Sequence, residues 1–319
     1  MIETTLGIDI GGTNTKFGLV DKEGNLLMDG TMPTPGFPEL ESFLNVLAEH
    51  IAAKMEEIAV PFELMAVGVG APNGNYFNGS IEHAPNLQWK GIVPLAKLLE
   101  QIYNVPVVLT NDANAAAIGE SVFGGGKGLN DFVMITLGTG LGGGVFSHGK
   151  LTYGHDGLAG ELGHMNVYPE GRPCNCGKHG CLETYVSATG LKKTVLELLE
   201  KRDDVTPLRG NTLESLSGRA IVQLAMEGDK IALEAVDYTA KILGLKLADI
   251  AAAISPKAFF ISGGLAKAGS ILMDATRNYF EQYIYPPMAG KIEIKLSELM
   301  DRNAAVLGAS ALAWDVLRH

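Results

Sequence analysis

Two glycine-rich turns, a pair of carboxylates and one knot of thiols carry most of the chemistry this sequence can offer. Gly11-Gly12-Thr13-Asn14 and Gly138-Thr139-Gly140 each follow an apolar run. Lacking Cβ atoms, such turns can aim backbone N–H groups at phosphate oxygens, and Thr13 and Thr139 add hydroxyls. Asp9, two residues before the first glycine, would set a carboxylate beside a phosphate-bound Mg²⁺, a cation that prefers oxygen ligands. A plain structural role, as tight turns in hairpins, would account for either turn taken singly. Gly138, Gly140 and Gly143 also satisfy G-x-G-x-x-G, but VFSHGKL beyond them reads as a strand where a dinucleotide fingerprint needs a helix. No G-x-x-x-x-G-K-[ST] occurs, which excludes a P-loop. Gly263-Gly264, between FFIS and LAKAG, could let a nucleoside lie on the backbone or be no more than a strand-to-helix turn.

The three cysteines, Cys174, Cys176 and Cys181, fall within eight residues. An odd number at that spacing is a poor disulfide framework and a good metal knuckle. The loop, with Pro173, Gly177 and Gly180, reads as too polar for a buried thiol cluster. His164 in GELGHM would complete a closed tetrahedral Zn²⁺ site of the structural type, with His179 and His155 as competing fourth ligands. A metal with no open position fixes geometry and does not catalyse; it would gather His164, Glu161 and Glu183 into one small region. Asn111-Asp112 end the apolar run PVVLT and open the Ala-rich ANAAAIGE. Asp112 can be read as a helix N-cap, or as a carboxylate at a strand's carboxyl end that takes the proton of a hydroxyl attacking phosphorus.

The elements that must position these groups alternate. Residues 5–10 and TNTKFGLVD read as adjacent strands joined by the glycine bend, with a turn at Lys22-Glu23-Gly24-Asn25 leading to another short apolar segment. Leu40, Phe43, Leu44, Leu47, Ile51 and Met55 have helical spacing and predict a helix over 39–58. MAVGVGAP reads as a buried parallel strand, 92–103 as a second amphipathic helix and PVVLTND as a further strand. Residues 132–151 repeat the opening pattern, with Gly138 where Gly11 stood. Farther on come a long helix at 232–254, strand–Gly-Gly–helix in AFFISGGLAKAG, and a last helix at 304–318. Such alternation implies α/β layers on mainly parallel sheets, with function at the carboxyl ends of strands. Two glycine hairpins imply a duplicated domain around a cleft. The expected division is 1–115 plus 304–319 as a smaller lobe and 116–303 as a larger lobe carrying the knuckle.

Composition narrows the classes. The chain has 319 residues, 46% hydrophobic and 19% charged, with 40 glycines, so it is a folded protein too large for one ordinary core. A net charge of −11 argues against a general nucleic-acid surface. No run approaches the ~18 apolar residues of a membrane span. MIETTLGIDIGG has neither a basic start nor a cleavage-like segment, so the expected location is cytoplasmic.

Taken together, LGIDIGGTNTK, GVGAPN, NDANAAAIGE, TLGTGLGGG, AGELGHM and CNCGKHGCLETYVSATG, spanning residues 6–190, resemble the ROK family of bacterial sugar kinases and repressors; Ser262-Gly263-Gly264 adds a later match. Within it the glucokinases are most similar. The resemblance implies a duplicated actin-like ATPase (ribonuclease-H-like) fold, with sugar and ATP in the cleft between two lobes. It implies phosphorylation of the 6-hydroxyl of a hexose, glucose first, as in glycolysis, with N-acetylglucosamine, N-acetylmannosamine or fructose as alternatives. Asp112 would be the general base. Asn86, Asn111, Glu161, His164 and Glu183 would hold sugar hydroxyls, near the Gly70-Ala71 turn. Gly11, Gly12, Thr13, Asn14, Lys16, Gly138, Thr139 and Gly140 would bind phosphates, Asp9 would sit near Mg²⁺, and Gly263-Gly264 would flank the adenosine. His164 would serve both zinc and sugar, one ring nitrogen to each. The family also implies a homodimer. A DNA-binding relative would need a helix-turn-helix, for which a first strand at residue 5 leaves no room.

Overall fold

The structure is a computed structural model that describes residues 1–84, 86–300 and 302–317. In chain order it comprises β1 (Ile2–Ile10), β2 (Asn14–Asp21), β3 (Leu26–Pro33), α1 (Leu40–Glu56), β4 (Phe62–Gly70), β5 (Gly74–Asn75), β6 (Ser80–Glu82), β7 (Ile92–Val93), α2 (Leu95–Tyr103), β8 (Val107–Thr110) and α3 (Asp112–Phe123). The second half continues with β9 (Phe132–Leu137), β10 (Leu141–Ser147), β11 (Lys150–Leu151), α4 (Ala188–Lys201), α5 (Gly218–Met226), α6 (Lys230–Ile254), β12 (Ala258–Ser262), α7 (Ser270–Tyr283), β13 (Glu293–Leu296) and α8 (Ala304–Leu317). No helix among the described residues is long and apolar enough to cross a membrane.

The duplication is explicit in the sheets. One runs β3-β2-β1-β4-β8 and the other β11-β10-β9-β12-β13, so each places its first strand between a hairpin partner and a parallel neighbour. β1 pairs antiparallel with β2 and parallel with β4. Likewise β9 and β12 are parallel, and β12 continues in parallel to β13. Each glycine turn joins the first two strands of its sheet, as the sequence pattern predicts. β5, β6 and β7 form a small third sheet.

Compact packing groups Met1–Asn130, Gly144–Gly160 and Ser297–His319 into one unit and Asp131–Gly143 with Glu161–Leu296 into a second. These bounds differ from the expected 1–115 plus 304–319 and 116–303, and the first unit is the larger. The reason lies in α3, which packs along its length on α8. A Cβ on Gly308 would sit 2.5 Å from the Ala115 carbonyl oxygen, so the two helices touch backbone to backbone. At the far end of α3, fully buried Glu120 accepts hydrogen bonds from Ser297 Oγ (2.5 Å), Gly125 N (2.8 Å) and Glu298 N (3.2 Å). Residues 116–130 therefore belong with the C-terminal segment in the first unit.

The core of the first unit is built by Leu6, Ile8 and Ile10 of β1, Val67 and Val69 of β4, and Phe43, Leu47 and Ile51 of α1. α8 is buried from Val306 to Trp314 and lies against β1 and β4, which explains its nearly unbroken apolar sequence. The predicted helix at 92–103 starts only at Leu95, because Pro94 disfavours helix in the residue before it and suits a helix start itself. In the second unit, Asp229 caps α6 by accepting from Ala232 N (2.9 Å). AFFISGGLAKAG folds as β12 and a short 3-10 turn, Leu265–Ala268, with α7 starting only at Ser270.

Candidate active site

Within the first unit the site residues collect at the carboxyl ends of adjacent parallel strands. Gly11 N donates to Asn14 O (3.0 Å) to close the β1–β2 turn, and Thr34 N donates to Thr13 O (3.1 Å). A buried pair, Thr15 Oγ1 and Thr34 Oγ1 at 2.9 Å, ties β2 to the end of β3. That bracing leaves Gly12, Thr13 and Asn14 exposed at the tip. Asp9 and Lys16 are direct cross-strand partners. Asn86 lies beside this turn, since a Cβ on Gly12 would come within 3.1 Å of the Asn86 carbonyl oxygen.

The two carboxylates flank Gly70, the last residue of β4. A Cβ there would lie 3.7 Å from Asp9 Oδ1 and 3.7 Å from the Asp112 Cα. Burial pushes Asp9 up to about 7, with the Asp112 charge adding to the rise and Lys16 opposing it. Asp112 retains exposed surface, yet the protein packed around it desolvates the carboxyl and raises its pKa, while the hydrogen bond from Ala113 N acts the other way. The sequence left open whether Asp112 caps α3. The structure gives that role to Asn111, whose Oδ1 accepts from Asn114 N (2.6 Å). Asp112 instead occupies the first helical position, its Oδ1 accepting from Ala113 N (2.9 Å), where the helix N-terminus favours negative charge. Freed from capping, the carboxylate is available for proton transfer.

In the second unit the Gly138 turn closes through Gly138 N donating to Gly140 O (3.0 Å), and Ala188 N donates to Gly138 O (2.9 Å). β10 follows these glycines, so the dinucleotide fingerprint is absent, as the sequence indicates. Gly263 has φ +95°, and a Cβ on it would lie 2.4 Å from Leu137 O, just before the turn. Glycine is required there by both conformation and space. It brings the Gly263-Gly264 backbone beside Gly138-Thr139-Gly140. Glu183 reaches the same turn, for a Cβ on Gly140 would meet Glu183 Oε2 at 2.5 Å.

The thiols meet as the spacing predicts. Ligand atoms of His164, Cys174, Cys176 and Cys181 lie within 4.8 Å of one another. Cys176 Sγ and Cys181 Sγ are 3.6 Å apart, and Cys174 Sγ is 3.8 Å from His164 Nδ1. Those separations approach the edges of a tetrahedron built on bonds of roughly 2.0–2.3 Å, so the donor set fits Zn²⁺. Of the three histidines considered, His164 joins the group; His179 and His155 are not in it. The expectation that the loop is too polar to bury thiols is corrected: Cys174 and Cys181 are buried and Cys176 alone is exposed. The loop folds back on itself, Cys174 N donating to Lys178 O (2.9 Å) and Gly180 N to Arg172 O (2.8 Å), which turns two sulfurs inward.

His164 lies between two carboxylates. Its Nδ1 is 3.9 Å from Glu183 Oε1 and its Nε2 is 3.9 Å from Glu161 Oε2. Cys174 Sγ donates to Glu183 Oε1 (3.0 Å). One ring nitrogen thus faces the thiols while the other faces Glu161.

The match to the ROK family runs over residues 5–316, and the chain belongs to that family. Its fold is accordingly the duplicated actin-like ATPase type. The chain is similar to the glucokinase of Streptomyces coelicolor, 37% identical over 324 residues, covering 97% of each protein. It is also similar to the glucokinase of Thermotoga maritima, 36% identical over 310 residues and 96% of each. Among solved structures, the ROK family glucokinase from Streptomyces griseus in complex with glucose and AMPPNP superposes with a TM-score of 0.80. That pair is 34% identical and covers 98% of this chain and 99% of the other.

Proposed function

We infer that the protein is an ATP-dependent hexose kinase that converts glucose to glucose 6-phosphate. The observation that carries this reading is the pair Asp9 and Asp112 on either side of Gly70, at the carboxyl ends of β1 and β8 beside an exposed glycine turn. Phosphoryl transfer needs alignment and charge neutralisation more than covalent chemistry. Asp112 takes the proton of the 6-hydroxyl as that oxygen attacks the terminal phosphorus of ATP, the bond from that phosphorus to the bridging oxygen breaks and ADP leaves; the raised pKa of Asp112 makes it a better base than an ordinary aspartate. Asn86, Asn111, Glu161, His164 and Glu183 bind the remaining hydroxyls. The backbone N–H groups of Gly12, Thr13, Thr139 and Gly140, on turns closed by the Gly11 and Gly138 N–H groups, hold the phosphates with Asn14 and Lys16, and Gly263-Gly264 support the nucleoside. Mg²⁺ bound near Asp9 supplies charge neutralisation on the phosphates.

His164 Nδ1, Cys174, Cys176 and Cys181 hold a structural Zn²⁺, leaving Nε2 and Glu161 to receive the sugar. Holding Glu183 between the knuckle and Gly140 links the metal site to the phosphate turn. The working form is a cytoplasmic homodimer serving glycolysis. A sugar panel with coupled ADP detection tests the reading. Glucose should give the highest kcat/KM, above N-acetylglucosamine, N-acetylmannosamine and fructose. No ADP with any hexose would reject the kinase reading, and a preference for an N-acetylhexosamine would reassign the substrate.

A further inference from the structure

Behind Asp112 lies a buried polar group that the proposed reaction does not use. Thr110, the last residue of β8, is 1% exposed, and Asn114 in the first turn of α3 is 0% exposed. Asn114 Nδ2 donates to Thr110 Oγ1 (3.3 Å), and the Tyr153 hydroxyl lies close to the Thr110 side chain. With Asn114 N donating to Asn111 Oδ1, the five residues from Thr110 to Asn114 are closed into a compact knot around Asp112. Tyr153 is held in turn, its ring stacked on Tyr76 with centroids 4.1 Å apart and planes 13° from parallel. On the backbone side, Ala71 N donates to Thr110 O (3.0 Å).

Buried polar groups are costly to keep, most of all those left unpaired. An apolar strand end would stabilise this junction more simply. What the network adds is orientation, since a general base must be held to within about 0.5 Å of its productive place. Asp112 sits on the first helical residue, so its direction follows that of the β8–α3 junction. We propose that Thr110, Asn114 and Tyr153 are positioning residues for the reaction, setting the direction of the Asp112 carboxylate through the junction they lock. The proposal rests on Asp112 being the base.

The test compares Thr110→Val, which keeps the shape and loses the hydroxyl, with Thr110→Ser, which keeps the hydroxyl, and with Tyr153→Phe. Glucose turnover and melting temperature are measured for each. Thr110→Val and Tyr153→Phe should lower kcat by ~10-fold or more, because small misplacements of a reacting group are costly. Glucose KM should stay within about 3-fold, and Thr110→Ser should recover kcat, as expected for an effect on orientation and not on substrate binding. A purely stabilising network would lower the melting temperature and leave kcat per folded molecule unchanged, which overturns the proposal. A loss in kcat that Thr110→Ser fails to restore overturns it too. If Thr110→Val does not fold, Tyr153→Phe carries the test, since it removes a single oxygen from a half-buried ring. Asp112→Asn is run beside them. Wild-type turnover there would sink the base assignment itself. An inactive Asp112→Asn with normal Thr110→Val and Tyr153→Phe would sink the positioning role alone.

Discussion

Arg172 should be the structural anchor of the metal knuckle, and its removal should be felt in both stability and metal retention. It lies two residues before Cys174 and is buried, while the Glu197 side chain it grips on α4 is 46% exposed. Nε and Nη2 donate to the two Glu197 oxygens (2.6 and 2.7 Å), Nη1 to Thr184 O (2.7 Å) and Gly190 O (3.1 Å), and Nη2 to Thr194 Oγ1 (2.9 Å). The guanidinium also lies 4.5 Å from the Tyr185 ring centroid. Breaking a fully buried ion pair costs about 3–5 kcal/mol. Here Glu197 can rehydrate, so its share falls toward the ~0–1 kcal/mol of a surface pair. The larger loss is the buried Thr184 carbonyl, next to Glu183, at about 1–3 kcal/mol for an acceptor left unpaired. Arg172→Met, which keeps the apolar stem, should therefore cost about 2–4 kcal/mol. That corresponds to a melting-temperature drop of ~5–15 °C for a unit of this size. Thermal unfolding by circular dichroism, with metal analysis of the same samples, is the assay. Arg172→Lys should fall between, because an ammonium cannot reproduce the fork. A melting temperature within ~2 °C of wild type, with metal retained, would refute this reasoning.

The Asp9 pKa of about 7 has a definite sign. A carboxyl whose folded pKa exceeds its unfolded value binds more protons when folded, so stability should fall as pH rises from about 4 to about 7. Ligand-free protein should melt lower at pH 7.5 than at pH 5.5, and Asp9→Asn should flatten that slope; an unchanged slope in the variant would assign it to other groups. Cys176→Ser should lose zinc and glucose binding together, read by metal analysis and calorimetry. Fully active wild-type protein without zinc would end that account. Prolonged chelation should reach the same state, since Cys176 gives solvent an approach to the site.

Much of this arrangement is legible in the sequence because it is local. The two glycine hairpins, the helix at Leu40–Glu56 and the thiol spacing each depend on residues within twenty positions of one another. That Asn111 caps α3 in place of Asp112 is less so, as both residue types cap well and only the observed bond from Asn114 N decides. Unit boundaries escape the pattern because the grip of α8 on α3 joins residues nearly two hundred apart. The Thr110–Tyr153 contact is likewise long-range, and Thr110 alone carries a local signal, as a hydroxyl ending the strand just before NDAN. Burial of Cys174 and Cys181 follows from loop backbone bonds that composition does not report.

Turnover of Asp112→Asn with glucose and Mg·ATP tests the central claim most directly. Loss of an effective general base should lower kcat by about 10²–10⁴-fold, while the glucose dissociation constant stays within several-fold because the other residues proposed to hold the sugar, Asn86, Asn111, Glu161, His164 and Glu183, are untouched. Wild-type kcat in that variant would contradict the account.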